Sequence, residues 1–587
     1  MLDLLLVEIN TSYVYADIKN DEPQLGLYYI AEYVTRAEFK VQIKRYDSNE
    51  PIAKNLIDLL KKHSCELLGF YVDSENIWVI RRLIPYLKNE LPNLCVVLGG
   101  PQITGNYQLA MKRIPSADIA VIGEGERPIK ELLSTDYKNR ENLKSILGLS
   151  YYDRTGQLVF TGKQSQSNDL DHYPFPYREK YAIDKGLIFS QILTGRGCVG
   201  RCAFCYESTK ENNILRFRSL ESVIEEIDYI IKNLKGQKFI TFLDDTFIID
   251  SSRTIAICNH LIEKHEGKIG WFCEARVDIL KRNVHLLPLM KKAGLIRIQL
   301  GGESGSQEIL DVYKKGMKIE DLLYVVEKVY EANIPSIYIN FIIGGAFETI
   351  GSFQKTLELS ELLLKKAPGC VEVGCSLFTP YVGTPMYINP QKYGLKLIDQ
   401  NLISGQDSHM VFAETENLNK YQILQLKDYF NSYTQNIQNE IFENIPKSKI
   451  TLHYELNKMY NIQTNVYKYI QQIESLKRYF ESIYYHGYLS IANIPRDILN
   501  VAIPIRLIPP ISDGEKMYRI IGKHIKENSQ LENAIWCLSA GKLNYHEIVY
   551  ILQKNQEFSH ILDLDKKIYD VYCKLDQECL VVWKTTI

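Results

Sequence analysis

Three cysteines fall within eight residues, at Cys198, Cys202 and Cys205, in the spacing Cys-x3-Cys-x2-Cys. The same stretch carries Gly197 and Gly200, so its backbone can curl around a small object. Thiolates are the usual ligands of iron–sulfur clusters, and three of them on one loop can wrap a single cluster. A structural zinc would need a fourth ligand, commonly from a second Cys-x-x-Cys or a His pair. None follows at suitable spacing. Three Cys ligands on a [4Fe–4S] cluster leave one iron without a protein ligand, and an open metal position is what a reactive site needs.

Further polar residues of chemical interest follow the ends of apolar runs. Asp244 and Asp245 come after Phe239–Leu243, and Arg276 after Trp271 to Ala275. Glu303 and Ser304 come after Ile296–Leu300, Gly344 after Ile337–Ile343, and Tyr381 after Val371–Phe378. Helix-period segments separate these runs, and the Cys loop itself follows Ile188–Leu193. The pattern predicts a partial or complete βα barrel over residues 188 to 400, with its site at the carboxyl ends of the strands.

The preceding residues have the same rhythm. Leu4–Ile9, Val41–Tyr46, Leu67–Val72, Leu94–Leu98 and Ile119–Ile122 are spaced for crossover helices, which predicts an N-terminal doubly wound parallel sheet over residues 1 to 140. Ligands of such sheets sit in the strand-to-helix loops. Small and polar residues collect there: Thr11 and Ser12; Tyr71, Val72 and Ser74; Gly99, Gly100, Pro101 and Gln102; and Gly123, Glu124, Gly125 and Glu126. A cofactor could lie flat across them. Residues 141 to 187 read as a hairpin, Leu149–Tyr152 and Leu158–Thr161, and then a polar, Pro-containing linker.

Beyond residue 400 the rhythm is helical. Leu426, Phe430, Tyr433 and Ile437 share one face, as do Val466, Ile470, Ile473, Leu476 and Phe480. These stripes read as core, and the tyrosines among them, such as Tyr454, Tyr479 and Tyr484, could instead line a substrate cavity. The segment from about 500 to 587 resembles the small winged-helix modules that hold the leader of a ribosomally made peptide, with structural packing as the competing reading. Its Tyr545–Leu552 helix carries no basic residue, which argues against reading DNA.

The chain has 587 residues, 45% hydrophobic and 24% charged, which excludes a single small module and a disordered tail. A net charge of −2 excludes a global field for nucleic acid or anionic lipid. No stretch reaches the ~20 apolar residues of a membrane span. Twelve unevenly spaced cysteines in a chain without signs of export read as reduced thiols or metal ligands, placing the protein in the cytoplasm.

With Phe204 ahead of its last cysteine, the Cys motif resembles the signature of the radical S-adenosylmethionine (SAM) superfamily, and the resemblance extends over the whole barrel segment. Ala346 and Phe347 depart from it where Pro and Gly are common, and so does Val382, commonly Pro. The resemblance implies that Asp244 and Asp245 lie near the SAM amino group and Arg276 and Glu303 near its polar parts. It also implies that the Gly344 and Phe378–Tyr381 regions lie near adenine, with Phe204 and Ser304 in the same SAM-binding motifs. Residues 1 to 140 are similar to the cobalamin-binding domain ahead of the barrel in one large branch of that superfamily, marked by Leu25-Gly26, Leu98 to Pro101 and Gly123 to Glu126. The Asp-x-His-x-x-Gly loop that supplies a cobalt ligand elsewhere is absent after the first strand. The implied cobalamin is held without histidine ligation, its lower face over the loop after the third strand.

The resemblance therefore implies an enzyme that cleaves SAM to a 5′-deoxyadenosyl radical, fed by a reductant such as flavodoxin or ferredoxin. C-methylation of an unactivated carbon in a natural-product or peptide substrate is the leading expectation. Cyclisation or ring contraction uses the same parts. A tRNA methylthiolase would need a basic tail, which the near-neutral, Tyr-rich C-terminal region does not offer. A cofactor-dead binding protein would assemble no cluster.

Overall fold

Apolar residues alternate in direction along the first strand, β1 (Leu4–Asn10): Leu5, Val7 and Ile9 enter one core, Leu4 and Leu6 another. A sheet buried on both faces needs strands that are apolar throughout, which is why these runs look continuous in sequence. In the computed structural model, β1 lies between β2 (Val41–Asp47) and β3 (Leu67–Tyr71), followed by β4 (Cys95–Gly99) and β5 (Ile119–Val121), all parallel. Helices Ile52–His63 and Ile77–Glu90 cover one face, Leu25–Thr35 and Glu126–Leu133 the other. The order β2-β1-β3-β4-β5 reverses direction between β1 and β3, so the loops leaving those strands diverge and open a crevice.

The structure describes residues 1–11, 23–47, 50–181, 190–209, 214–233, 238–398, 410–509, 511–513, 516–521 and 524–585. Ser12 and residues 188–189, part of the sequence expectations, lie outside the described residues. The hairpin, β6 (Leu149–Tyr152) and β7 (Leu158–Phe160), is not part of a free connection. It extends the first sheet, β6 running antiparallel to β5.

Six parallel strands form the second sheet: β8 (Gln191–Ile192), β9 (Phe239–Phe242), β10 (Gly270–Ala275), β11 (Leu295–Glu303), β12 (Ser336–Ile343) and β13 (Val371–Leu377). Each pairs with its sequence neighbours, and β8 and β13 are the two edges, so among the described residues the barrel is partial. The helix that begins at Lys420 rests on β12 through Phe430 against Phe341, ring centres 5.9 Å apart. Gly105 and Gly383 bring the helix after β4 and the loop after β13 backbone to backbone. A Cβ on Gly105 would sit 2.2 Å from the Val382 carbonyl oxygen, and one on Gly383 2.4 Å from that of Gly105.

Met1–Gln435 and Asn436–Ile587 are two compact units. In the second, helices Lys447–Tyr460, Asn465–Gln472 and Glu474–His486 share a core in which Tyr454, Tyr469 and Tyr479 are buried, Tyr454 stacked on Phe480 at 4.8 Å. Tyr484 and Tyr485 are exposed and flank Lys458. Strands Ile503–Arg506 and Val581–Lys584 pair antiparallel beside helices Gln530–Leu538, Tyr545–Lys554 and Leu564–Gln577, around buried Trp536 and Trp583. No helix among the described residues is long and apolar enough to cross a membrane.

Candidate active site

The Cys loop is fastened at its centre. Ala203 N–H donates to the Tyr313 carbonyl at 2.9 Å, and the Ala203 carbonyl accepts from Met386 N–H at 3.3 Å. Phe204 packs edge-on to Tyr313, ring centres 5.2 Å apart, in a cluster with Phe378 and Met386. Gly200 N–H points at Cys198 Sγ, 3.3 Å away, and Arg276 Nη1 stands 3.6 Å from Cys202 Sγ. A Cβ on Gly200 would lie 2.3 Å from Arg276 Nη1, so a side chain there would displace the guanidinium from the loop. Burial pushes the Cys205 thiol up to about 12, so only a strongly bound metal draws its sulfur into the thiolate form. The sulfurs do not crowd to single-ion spacing. Among the described residues the one group that brings three metal-type donors within 4.8 Å of one another lies elsewhere. Three soft donors, Cys202 buried and Cys198 and Cys205 half-buried, one flanked by a guanidinium and one by a backbone N–H, suit an anionic iron–sulfur centre.

Around this loop several of the barrel's charged residues are engaged with protein partners. Asp244 is committed: Thr194 donates to both its oxygens, through Oγ1 at 2.7 Å and N–H at 3.0 Å, locking the ends of β8 and β9 together. Its neighbour Asp245 is exposed and lines a mostly apolar cavity. Arg276 spends its fork on Asp278 (3.0 Å), the Lys315 carbonyl (2.7 Å) and Cys202, so it backs the Cys loop. Glu303, at φ +58°, is buried in an ion pair with Lys315 at 2.5 Å. Ser304 is buried and accepts from Ser306 N–H. Gly344, at φ +79°, donates its N–H to the buried Glu348, whose carboxyl burial pushes up to about 8. Phe378 is core, while Tyr381 is exposed and lines a polar cavity of about 410 Å³ with Thr11, Ser74 and Gln102. Cys370 and Cys375 stand apart from this site, near the Ile334 carbonyl and Asn431.

The cavity lined by Asp245, about 660 Å³, has two walls. One is the loop edge of the first sheet: Gly26, Tyr71, Gly99, Gly100, Pro101 and Gly123 to Glu126. The other is the start of the barrel: Leu193, Gly195 to Gly197, Tyr206, Leu243 and Asp245. Most of its exposed lining is apolar, as suits a large planar ring system. A Cβ on Gly26 or Gly99 would meet nothing within 4 Å, so these glycines leave open space for a ligand. Gly100 instead is packed, at φ +106° with its absent Cβ 2.7 Å from the Val72 carbonyl oxygen. Val72 is buried and holds that loop through its backbone, not as a lining residue. Burial raises the Tyr71 phenol well above its ordinary value, so a neutral ring, not a phenolate ligand, faces the cavity.

Glu124 and Glu126, expected to face a cofactor, have their carboxylates engaged elsewhere. Glu126 binds Arg196 at 2.6 Å, and Glu124 binds Arg196 at 3.3 Å and Arg216 at 2.5 Å. Arg196 also lies over the rings of Tyr29 and Tyr173. Arg196 and Arg216 sit opposite each other on a two-stranded ribbon, Gly195–Arg196 with Arg216–Phe217, that leads into the Cys loop. Sequence reasoning passed over both arginines, although Arg196 stands two residues before Cys198.

A two-walled cavity between a doubly wound sheet and a partial parallel barrel with a three-Cys loop defines the class of protein, a radical SAM fold preceded by a corrinoid-type domain. The comparisons agree. Residues 192–360 match the radical SAM superfamily and residues 11–133 the B12 binding domain. An uncharacterized methyltransferase of Pyrococcus horikoshii is 31% identical over 373 residues, 62% of this chain and 78% of the relative. An anaerobic magnesium-protoporphyrin IX monomethyl ester cyclase of Rubrivivax gelatinosus is 26% identical over 358 residues, and the chain spans only 63% of its length. The solved structure of the cobalamin-dependent SAM radical enzyme OxsB with aqua-cobalamin bound superposes with a TM-score of 0.58 at 17% identity, covering 82% of this chain and 73% of that one. The chain belongs to the cobalamin-dependent radical SAM enzymes. That family's cofactors are a [4Fe–4S] cluster, SAM and cobalamin.

Proposed function

We propose that this enzyme methylates an unactivated carbon of a small-molecule or peptide substrate. When bound, the cluster and SAM supply a carbon-centred radical and cobalamin supplies a transferable methyl group. The observation that carries the reading is the shared cavity: the glycines of the first sheet's loops and the Gly195–Gly197 approach to the Cys loop wall one space. Cys198, Cys202 and Cys205 hold the iron, and Arg276 places a positive charge beside Cys202. Asp245 lines the cavity and is the carboxylate we assign to the SAM ammonium, while Asp244 fixes the backbone that presents it. Gly99 and Gly26 would leave room for a corrin, and Tyr71, with its phenol neutral, would line that space as a ring and not as a ligand. A flavodoxin- or ferredoxin-type reductant delivers the electron, and the chain's thiols suit a cytoplasmic setting.

The test needs no knowledge of the natural substrate. Enzyme reconstituted anaerobically with cobalamin is given methyl-labelled SAM and a reductant. Methylation predicts label in the bound corrinoid with one S-adenosylhomocysteine per methyl group, together with slow release of 5′-deoxyadenosine. A second reading, cyclisation without methyl transfer, is favoured by the cyclase relative and predicts 5′-deoxyadenosine alone.

A further inference from the structure

Two histidines and an aspartate on the outside of the barrel converge on one point. His260 Nε2 lies 2.7 Å and His265 Nε2 2.9 Å from the same oxygen, Oδ1 of Asp228. The three donor atoms all lie within 4.8 Å of one another. Asp228 belongs to the helix Leu220–Asn233, the connection from β8 to β9, and both histidines to the helix Ser251–His265 between β9 and β10. In a βα barrel each such helix runs back toward the amino ends of the strands. His265, the last residue of its helix, is therefore at the end of the barrel opposite the Cys loop.

We propose that Asp228, His260 and His265 bind one zinc-class divalent cation that pins the first two barrel helices together. Two imidazoles and a carboxylate are a donor set that borderline metals prefer, and hard cations such as magnesium do not. A tetrahedron with ~2.0 Å metal–ligand bonds has edges of ~3.3 Å, so the His-to-Asp separations need to open by only about half an ångström. The side chains of His260 and His265 are 12% and 18% exposed and Asp228 is 48% exposed. The imidazoles are thus held by packing while the carboxylate side faces water, which supplies the remaining coordination position. Each histidine exchanges a proton for a metal bond, and the Asp228 oxygen that now accepts two N–H bonds becomes the third ligand. The site is structural, since nothing connects it to the cavity of the radical chemistry.

The test uses the holoenzyme, with its cluster intact so that Cys198, Cys202 and Cys205 are occupied. Zinc bound at equilibrium dialysis is measured by elemental analysis for wild type, Asp228→Asn and the double variant His260→Gln, His265→Gln. The expected result is one more zinc per chain in wild type than in the double variant, at least a tenfold loss of affinity in Asp228→Asn, and a zinc-dependent rise in melting temperature confined to wild type. Circular dichroism confirms that the variants fold. Equal zinc in wild type and either folded variant overturns the proposal. So does an equal zinc-induced melting shift in all three proteins.

Discussion

Arg196 Nη2 lies 2.6 Å from Glu126 Oε1, tying the residue two positions before the first cluster cysteine to the last loop of the cobalamin domain. The Glu126 side chain is 4% exposed and that of Arg196 19%, so little water screens the pair. Removing one partner of such a pair costs about 3–5 kcal/mol, chiefly because the other charge stays buried. Arg196→Ala is expected to lower cobalamin retention at least tenfold, read by absorbance after gel filtration, while iron per chain stays at the wild-type value. Arg196→Lys keeps the charge but loses the fork that reaches Glu124, and should fall between the two.

Burial alone would raise the Glu124 carboxyl, but the Arg216 and Arg196 guanidiniums outweigh it and hold the group below its ordinary value. A depressed folded value stabilises above the ordinary carboxylate range and is lost as pH falls through the folded value. Cobalamin retention should therefore be flat from neutrality to about pH 5 and decline below it. Glu124→Gln should show weaker retention with no such acid limb.

Glu348 has the opposite sign. Its carboxyl is pushed up to about 8 by burial, against the hydrogen bond from Gly344 N–H. Its contribution to stability is fully present below the unfolded value near 4.3 and is lost as pH rises through about 8. Urea midpoints measured between pH 6 and 9 should fall in the wild type. The fall should be smaller in Glu348→Gln, which keeps the shape and cannot ionise.

Adjacent glycines allow a test of the cavity. Gly99→Leu places a side chain in open space and should abolish cobalamin binding without lowering the melting temperature. Gly100→Ala puts a Cβ 2.7 Å from the Val72 carbonyl oxygen at φ +106° and should destabilise the protein by about 1–3 kcal/mol. Differential scanning calorimetry and cobalamin titration separate the two effects.

Cys202→Ala should lose the iron–sulfur absorbance near ~400 nm and all SAM cleavage, yet still bind cobalamin at the first sheet. Wild-type 5′-deoxyadenosine release from that variant would contradict the assignment of the metal ligands.

What the sequence made legible was whatever is local. Strands β1, β3, β4 and β5 announce themselves because both faces are buried, the edge strand β2 by its alternation, and the Cys spacing is a single-loop property. The hairpin at Leu149–Phe160 was visible, but its pairing with β5 was not, since a turn motif carries no information about a distant edge. The carboxylates of Glu124, Glu126 and Asp244 read as ligand contacts because residue type and loop position cannot show a partner. Arg196, Arg216 and Thr194 supply those partners from up to 92 positions away. Nothing local to Lys315 shows that the fold delivers it to Glu303, twelve positions away.

The double fastening of Ala203, to Tyr313 on one side and Met386 on the other, has a bearing on maturation in the cell. Tyr313 follows the fourth strand of the barrel and Met386 the sixth, so the thiol-bearing loop takes its shape only after the sixth strand has been synthesised and docked. Iron delivery proteins must therefore meet a completed scaffold instead of a nascent one. Starving an expression host of iron should accordingly yield folded, colourless protein that can be charged afterwards, in place of inclusion bodies.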